Sequence, residues 1–386
     1  MQTPPAAIAR RRRLIATALL VLAACAGTRA QAAPLPETVE MIRKGSGLFA
    51  TELETTLYRP DGPGPFPIVV INHGKSPGNP RFQGRYRPVV AARYFLARGY
   101  AVVVPMRQGF ARSSGSYIQG GCNVESNGRV QAEDVGAALD HVVAQPWADK
   151  DRILVVGQSH GGWTTLAFGA VGYPGVRGLI DFAGGLRQED CTGWRLGLIG
   201  GAADYGAKTR VPSLWFYGDN DSYFDPSVWQ GMHQRYVAAG GPARLVAFGT
   251  FGSDAHMLFG SPAGASVWQP EVTKFLREIG LPAEPTADAA RYERPPAPPA
   301  SGYATVDQLD RLPVQAEDAR RDYRTFLAKE SPRAFAVGQG GSGSWGYAWG
   351  NDDSPDLALA HCARRAPAGG CRLYAVDGAV VWQAAP

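Results

Sequence analysis

The chain has 386 residues, 45% of them hydrophobic and 19% charged, which is ordinary for a soluble globular protein and enough for one large domain plus a small one. The formal net charge is +5, but residues 1–32 hold five Arg and no acid, so 39 basic and 34 acidic residues become 34 and 34 beyond them. The basicity therefore gives no argument for nucleic acid as a partner.

The first 32 residues read as a targeting segment. Arg10 to Arg13 form a basic stretch, and Leu14 to Ala24 form an apolar run too short to span a bilayer. Ala30-Gln31-Ala32 then offers a small-x-small cleavage site, so a signal peptide over 1–32 and an exported, periplasmic or secreted protein are expected. Leu22-Ala23-Ala24-Cys25 offers a competing lipobox, which would anchor an outer-membrane lipoprotein through Cys25. No later segment reads as a membrane span.

The lead-in segment, residues 35–58, suits edge strands, and 60–67 is a Pro/Gly-rich break. Ile68–Asn72 is apolar enough for a strand buried on both faces. A helix over Val89–Arg98 and a second buried strand over Tyr100–Pro105 follow, then a helix over Asn127–Val143 and a third strand over 152–156. Gly157-Gln158-Ser159-His160-Gly161 ends that strand and leads into a helix over Thr164–Val171. Strands at 176–183, 212–217 and 243–248 follow, with a long irregular excursion over 184–210. Helices at 227–238 and 267–279 complete the series. Alternation of strands and helices predicts an α/β fold, a doubly wound and mostly parallel sheet over 33–282.

Residues 283–300, rich in Pro and Ala, read as a semi-rigid linker. Residues 301–386 read as a small α+β domain. Its expected elements are helical periodicity over 306–329, a strand over 334–337, a Gly/Ser/Trp-rich run over 338–350, a helix over 357–363, and a type I′ hairpin turning at Asp377-Gly378. Besides Cys25 there are Cys122, Cys191, Cys362 and Cys371. In an exported chain an even count suggests disulfides, and one bridge per domain gives 122–191 and 362–371 among three possible connectivities. No C-x-x-C occurs, so no metal is expected, and nothing in the chain implies a cofactor.

Strand, sharp turn with a central Ser, then helix is the layout of a nucleophile elbow, with Gly157 and Gly161 as the small residues that the close approach requires. The motif occurs again at Gly74-Lys75-Ser76-Pro77-Gly78, but there the chain continues into a loop. A Ser nucleophile needs a base to take its proton and an acid to orient that base. In this layout the chain order is Ser, acid, His. Asp221, in Gly218-Asp219-Asn220-Asp221, is the favoured acid, with Asp219 the next choice; Asp225 reads as an N-cap before Pro226. His256, after the last strand, is the expected base. The oxyanion donors are expected to be the backbone N–H groups of His160 and Lys75, which makes the second motif an oxyanion loop.

These stretches, together with Ile71-Asn-His-Gly74 and Arg107-Gln-Gly-Phe-Ala-Arg-Ser-Ser-Gly115, resemble α/β-hydrolases of the dienelactone hydrolase and prolyl-oligopeptidase-like branch over roughly residues 45–280. The resemblance implies hydrolysis of a carboxylic ester, a lactone or an amide through an acyl-enzyme, with a small-molecule ester as partner. Best-known dienelactone hydrolases carry a Cys where this chain has Ser159, which favours a general esterase. Trp163, Trp194 and Tyr223 are expected to line an apolar acyl site. The alternatives are an exopeptidase or acyl-peptide hydrolase of the same fold, and a non-catalytic envelope binding protein built on it. Oligomeric state is open.

Overall fold

The structure is a computed structural model and describes residues 35–47, 50–293, 298–329, 332–339, 343–349, 354–366 and 370–383. The expected signal peptide, its cleavage site and Cys25 lie outside the described residues.

The apolar runs become the strands of an eight-stranded sheet. β1 (Glu37–Lys44) and β2 (Thr51–Tyr58) form an antiparallel pair, and β2 lies antiparallel to β4 (Ala101–Pro105). β3 (Phe66–Asn72), β5 (Ala148–Gln158), β6 (Val176–Phe182), β7 (Ser213–Tyr217) and β8 (Ala243–Ala247) run parallel, in the order β1-β2-β4-β3-β5-β6-β7-β8. Alternate residues of the central strands enter two separate cores. Ile68, Val70, Ile153 and Val155 face α2 (Val124–Val143), α3 (His160–Gly169), α4 (Trp194–Lys208) and α5 (Pro226–Ala238). Val69, Ile71, Leu154 and Val156 face α1 (Val89–Leu96) and α6 (Pro262–Glu278). Covering both faces with helices is what lets strands this apolar pair in parallel.

Several elements differ from expectation. The excursion over 184–210 contains α4, a helix of 15 residues. Gly197, Gly200, Gly201 and Gly206 lower its intrinsic propensity, which is why the segment reads as irregular. Two of those glycines serve packing: a Cβ on Gly206 would come within 2.3 Å of the Tyr236 carbonyl oxygen on α5, and one on Gly201 within 3.0 Å of the Trp163 ring. Helix α3 starts at His160 rather than Thr164, because the turn is complete at Ser159 and its carbonyl already accepts from Trp163 N–H at 3.1 Å. The expected linker is fixed as far as Glu293: Thr286 N–H donates to Ala97 O at 2.8 Å, and Tyr292 is buried against the α1–α6 core.

A second, antiparallel sheet has the order β10-β9-β11-β12, formed by β9 (Arg333–Gly338), β10 (Trp345–Trp349), β11 (Cys371–Val376) and β12 (Ala379–Val380). Tyr323 and Phe326 of α7 (Glu317–Leu327) cover Phe335 and Tyr374, while α8 (Ser354–Arg365) packs Ala358 and Cys362 against Ala334 and Ala336. The helix expected over 306–329 is confined to α7, since Pro313 cannot continue a helix and holds Leu312 extended. The Gly/Ser/Trp-rich run contains β10. Of the two hairpin-turn residues only Asp377 has positive φ (53°), so the turn is not type I′. Disulfides join Cys122 to Cys191 and Cys362 to Cys371.

Candidate active site

Four loops at the carboxyl edge of the large sheet carry the expected residues. Ser159, between β5 and α3, has φ 57° and ψ −126°. A non-Gly residue in this region is strained, and such strain persists only where the surroundings enforce it. They do so here through two close approaches. A Cβ on Gly157 would meet Gly161 O at 2.1 Å, and one on Gly161 would meet Asn72 O at 2.1 Å. The Ser76 copy of the motif forms no such elbow; residues 73–79 follow β3 as a loop.

Asp221 and His256 meet across the β7 and β8 loops. His256 Nδ1 lies 3.1 Å from Asp221 Oδ1 and 3.0 Å from Oδ2, with both side chains almost wholly buried. Asp221 Oδ1 also accepts the N–H of Tyr223 at 2.8 Å and of Phe224 at 3.0 Å. An acceptor at Nδ1 puts the imidazole proton there and leaves Nε2 as the basic nitrogen. Asp219, the other acid considered, is exposed. Asp225 caps α5 by accepting Ser227 N–H at 3.0 Å.

The loop after β3 faces the elbow: a Cβ on Gly74 would lie 3.3 Å from Ser159 Cβ and 3.8 Å from its Oγ. Among the described residues, the N–H groups of Lys75 and His160 make no internal hydrogen bond. His160 begins α3, so its N–H also lies at a helix N-terminus. Its imidazole is unsuited to proton transfer. Nε2–H donates to Asn127 Oδ1 at 2.7 Å, Nδ1 accepts from Arg107 at 3.2 Å, and burial and the Arg107 charge hold it neutral.

Ser159, His160 and Lys75 line a cleft of about 830 Å³. Its walls mix polar and apolar groups: Tyr117 and Gln119 from one segment, Leu186, Arg187, Gln188 and Glu189 from another. The Cys122–Cys191 bridge and a Gln188 bond to Gly121 O (2.7 Å) tie these walls together. Of the three aromatics expected in an acyl site, Tyr223 lines the cleft, its ring 4.5 Å from that of His256. The other two are corrected. Trp163 is wholly buried, its N–H on Val124 O at 2.7 Å and its ring against Tyr205. Trp194 lines a separate apolar groove with Leu196, Ile199 and Val228. Both are large apolar groups near the elbow in sequence, and only packing decides which face they cover.

Several positioning residues escape the sequence. Gln158 donates to His256 O at 2.8 Å, tying the loop after β8 to the elbow. Asp254 accepts His256 N–H (2.9 Å) and both the N–H (3.0 Å) and hydroxyl (2.7 Å) of Ser222, joining the loops after β7 and β8. Burial raises its carboxyl, but these bonds outweigh burial and hold it below its ordinary value. Its spacing two residues before His256 was the one available signal. Gln83 shapes the loop after β3 through Ser76 N–H (2.8 Å) and Gly74 O (3.2 Å).

Asp181, at the end of β6, is a buried acid beside this site. Its Oδ2 and Gly184 O both lie within reach of the Tyr217 hydroxyl, at 2.8 and 2.7 Å. One phenol proton cannot serve two acceptors, so the arrangement is satisfied when Asp181 carries a proton and donates it to Tyr217. Burial accordingly pushes the Asp181 carboxyl up to about 7, against the lowering effect of the Tyr217 bond. The folded chain thus holds a proton between pH about 4 and about 7 that the unfolded chain releases, and stability falls as pH rises through that window. For Asp181→Asn, the stability difference from wild type should change across that window by on the order of 4 kcal/mol in favour of the variant. Urea unfolding at pH 4.5, 6 and 8 measures it, and a difference independent of pH would contradict a protonated Asp181.

The strand order and the strand–turn–helix at Ser159 are those of the α/β-hydrolase fold. A model of the X-Pro dipeptidyl-peptidase (S15) family matches residues 47–197, from the lead-in strands through the elbow into α4. A search among curated proteins finds no match. Among solved structures, the acylaminoacyl peptidase of Pyrococcus horikoshii is 17% identical with a TM-score of 0.49, over 67% of this chain and 44% of that one. Porphyromonas gingivalis dipeptidyl peptidase 4 is 19% identical (TM-score 0.48), over 63% and 35%. An esterase of Pyrococcus furiosus is 14% identical (TM-score 0.46), over 63% and 93%. The chain spans less than half the length of either peptidase and most of the esterase. Among the described residues, no helix is long and apolar enough to cross a membrane.

Proposed function

We propose that this protein is an exported serine hydrolase that cleaves carboxylic esters through an acyl-enzyme on Ser159. What supports the reading is a positive-φ Ser159 together with a His256 imidazole whose Nδ1 is held by Asp221 and whose backbone carbonyl is bonded by Gln158, the residue before Ser159. His256 Nε2 takes the hydroxyl proton as Oγ adds to the ester carbonyl, and Asp221 stabilises the imidazolium that forms. The N–H groups of Lys75 and His160 stabilise the tetrahedral oxyanion. His256 then returns the proton to the leaving alcohol, and water repeats the sequence to release the acid. Export is supported by the Arg10–Arg13 and Leu14–Ala24 pattern together with two disulfides, which persist in oxidising compartments. Residues 33–282 form the catalytic part and residues 301–386 a separate disulfide-bonded module.

The charged and amide side chains in the cleft wall, Gln119, Arg187, Gln188 and Glu189, favour a short acyl group on a polar alcohol. Turnover of p-nitrophenyl esters is expected to be highest at two to four acyl carbons and to fall at least about tenfold by C12, each apolar methylene offering little binding in such a cleft. A fluorophosphonate should label Ser159 stoichiometrically; failure to label a folded protein sinks the hydrolase reading. The S15 family match and the size of the cleft favour a second reading, a peptidase. Comparing esters with aminoacyl and X-Pro anilides separates the two, and faster anilide cleavage would overturn ester specificity.

A further inference from the structure

One charged residue stands behind both oxyanion donors without taking part in the proton transfers above. Arg107, two residues beyond β4, is wholly buried. No carboxylate among the described residues lies within ion-pair distance of it, and its Nε has no partner. Asp134, the nearby acid, is engaged elsewhere: its oxygens accept Gln108 N–H at 2.7 Å and Lys44 Nζ at 2.7 Å. Burying an unpaired guanidinium is costly, and burial lowers its pKa to about 10, which still leaves it charged at neutral pH. Folds retain such groups where the charge is used.

The hydrogen bonds show where this charge is directed. Nη2 donates to His73 O at 2.7 Å and to His160 Nδ1 at 3.2 Å, and Nη1 to Thr164 Oγ1 at 3.2 Å. The guanidinium thus holds the His73 strand end against the first turn of α3. The Arg107 backbone N–H donates to His73 Nε2 at 3.0 Å, which fixes the proton of that imidazole on Nδ1. His73 Nδ1–H in turn donates to Gly74 O at 2.6 Å. Gly74 C=O and Lys75 N–H belong to one peptide group, so polarising the carbonyl makes the N–H a stronger donor. Burial first, then the Arg107 charge, keep both imidazoles neutral, so neither competes as a cation.

The geometry points to Arg107 as the positioning residue and buried positive charge of the oxyanion hole: its side chain braces the His73 carbonyl, just before the Lys75 donor, against the His160 donor, and its charge favours negative charge between them. The inference rests on the hydrolase reading above. A preorganised charge in a water-excluded site acts on the transition state and not on the bound ester, so its removal should lower kcat with little change in KM.

The test compares Arg107→Met and Arg107→Lys with wild type on p-nitrophenyl butyrate. A trifluoromethyl ketone, which adds Ser159 to form a stable oxyanion, serves as a second readout. For Arg107→Met we expect kcat to fall about 100-fold, KM to stay within about threefold, and the ketone inhibition constant to rise in parallel with the loss of kcat. Arg107→Lys, which restores a charge, should recover at least about tenfold of that loss. Wild-type kcat in the Met variant, or a Lys variant no better than Met, overturns the inference. So does a loss confined to KM. If the Met variant does not fold, the Lys variant against wild type decides: ketone affinity unchanged while kcat falls would overturn it. Fluorophosphonate labelling of wild type keeps the two questions apart. An unlabelled wild type overturns both readings; a labelled wild type with an unaffected Arg107→Met overturns this one alone.

Discussion

Ser159→Ala is expected to lower kcat on short esters by roughly 10⁴- to 10⁶-fold while leaving the fold intact. Ala tolerates the positive φ of this position no worse than Ser. The enforcing contacts are between Gly157, Gly161 and Asn72, and the substitution touches none of them. Labelling by a fluorophosphonate should vanish with activity. The residual rate reflects binding and the oxyanion donors alone, so adding His256→Ala to Ser159→Ala should cost almost nothing further, because residues that act as a unit are not additive. Circular dichroism and steady-state kinetics on the purified variants measure both. Turnover within tenfold of wild type would exclude Ser159 as the nucleophile.

Asp221→Asn is expected to cost roughly 10⁴-fold in kcat with little effect on KM. The structure gives the reason at the level of atoms. Asp221 Oδ1 accepts two backbone N–H groups, from Tyr223 and Phe224. In the variant those donors hold the Asn carbonyl oxygen at the Oδ1 position. The amide NH₂ is then placed where Oδ2 stood, 3.0 Å from His256 Nδ1. A donor at that point drives the imidazole proton to Nε2, the nitrogen that must take the Ser159 proton. The substitution is nearly isosteric, so the protein should fold and fluorophosphonate labelling should slow without stopping. Retention of more than a tenth of wild-type kcat would argue that another acid, with Asp219 the first to test, orients His256.

Much of this site was legible because α/β architecture places the ends of parallel strands side by side. Three strand ends, after Gln158, Tyr217 and Ala247, supply Ser159, Asp221 and His256. Knowing that those runs are parallel strands is nearly enough to know that the residues after them converge. The duplicated Gly-x-Ser-x-Gly was separable for the same reason, since only one copy stands between a buried strand and a helix. Helix α4 was not legible: its glycines argue against a helix locally, and the close approaches to Trp163 and Tyr236 that require them are made by segments distant in sequence.

The sequence by itself therefore determined the strand–helix alternation, the elbow and the candidate chemistry of Ser159, Asp221 and His256, and it favoured one of three cysteine pairings. These follow from local periodicity, turn chemistry and chain order. Tertiary structure alone decided which groups surround that chemistry. It turned Trp163 into core and Tyr223 into cleft wall, brought Gln119 and Gln188 into one cleft, and held Asp181 where a proton is needed. It also buried Arg107 against His73 and His160, with no carboxylate among the described residues in ion-pair distance. Those outcomes depend on which side chains meet across the sheet and on how much water they exclude, and residues far apart in the chain fix both.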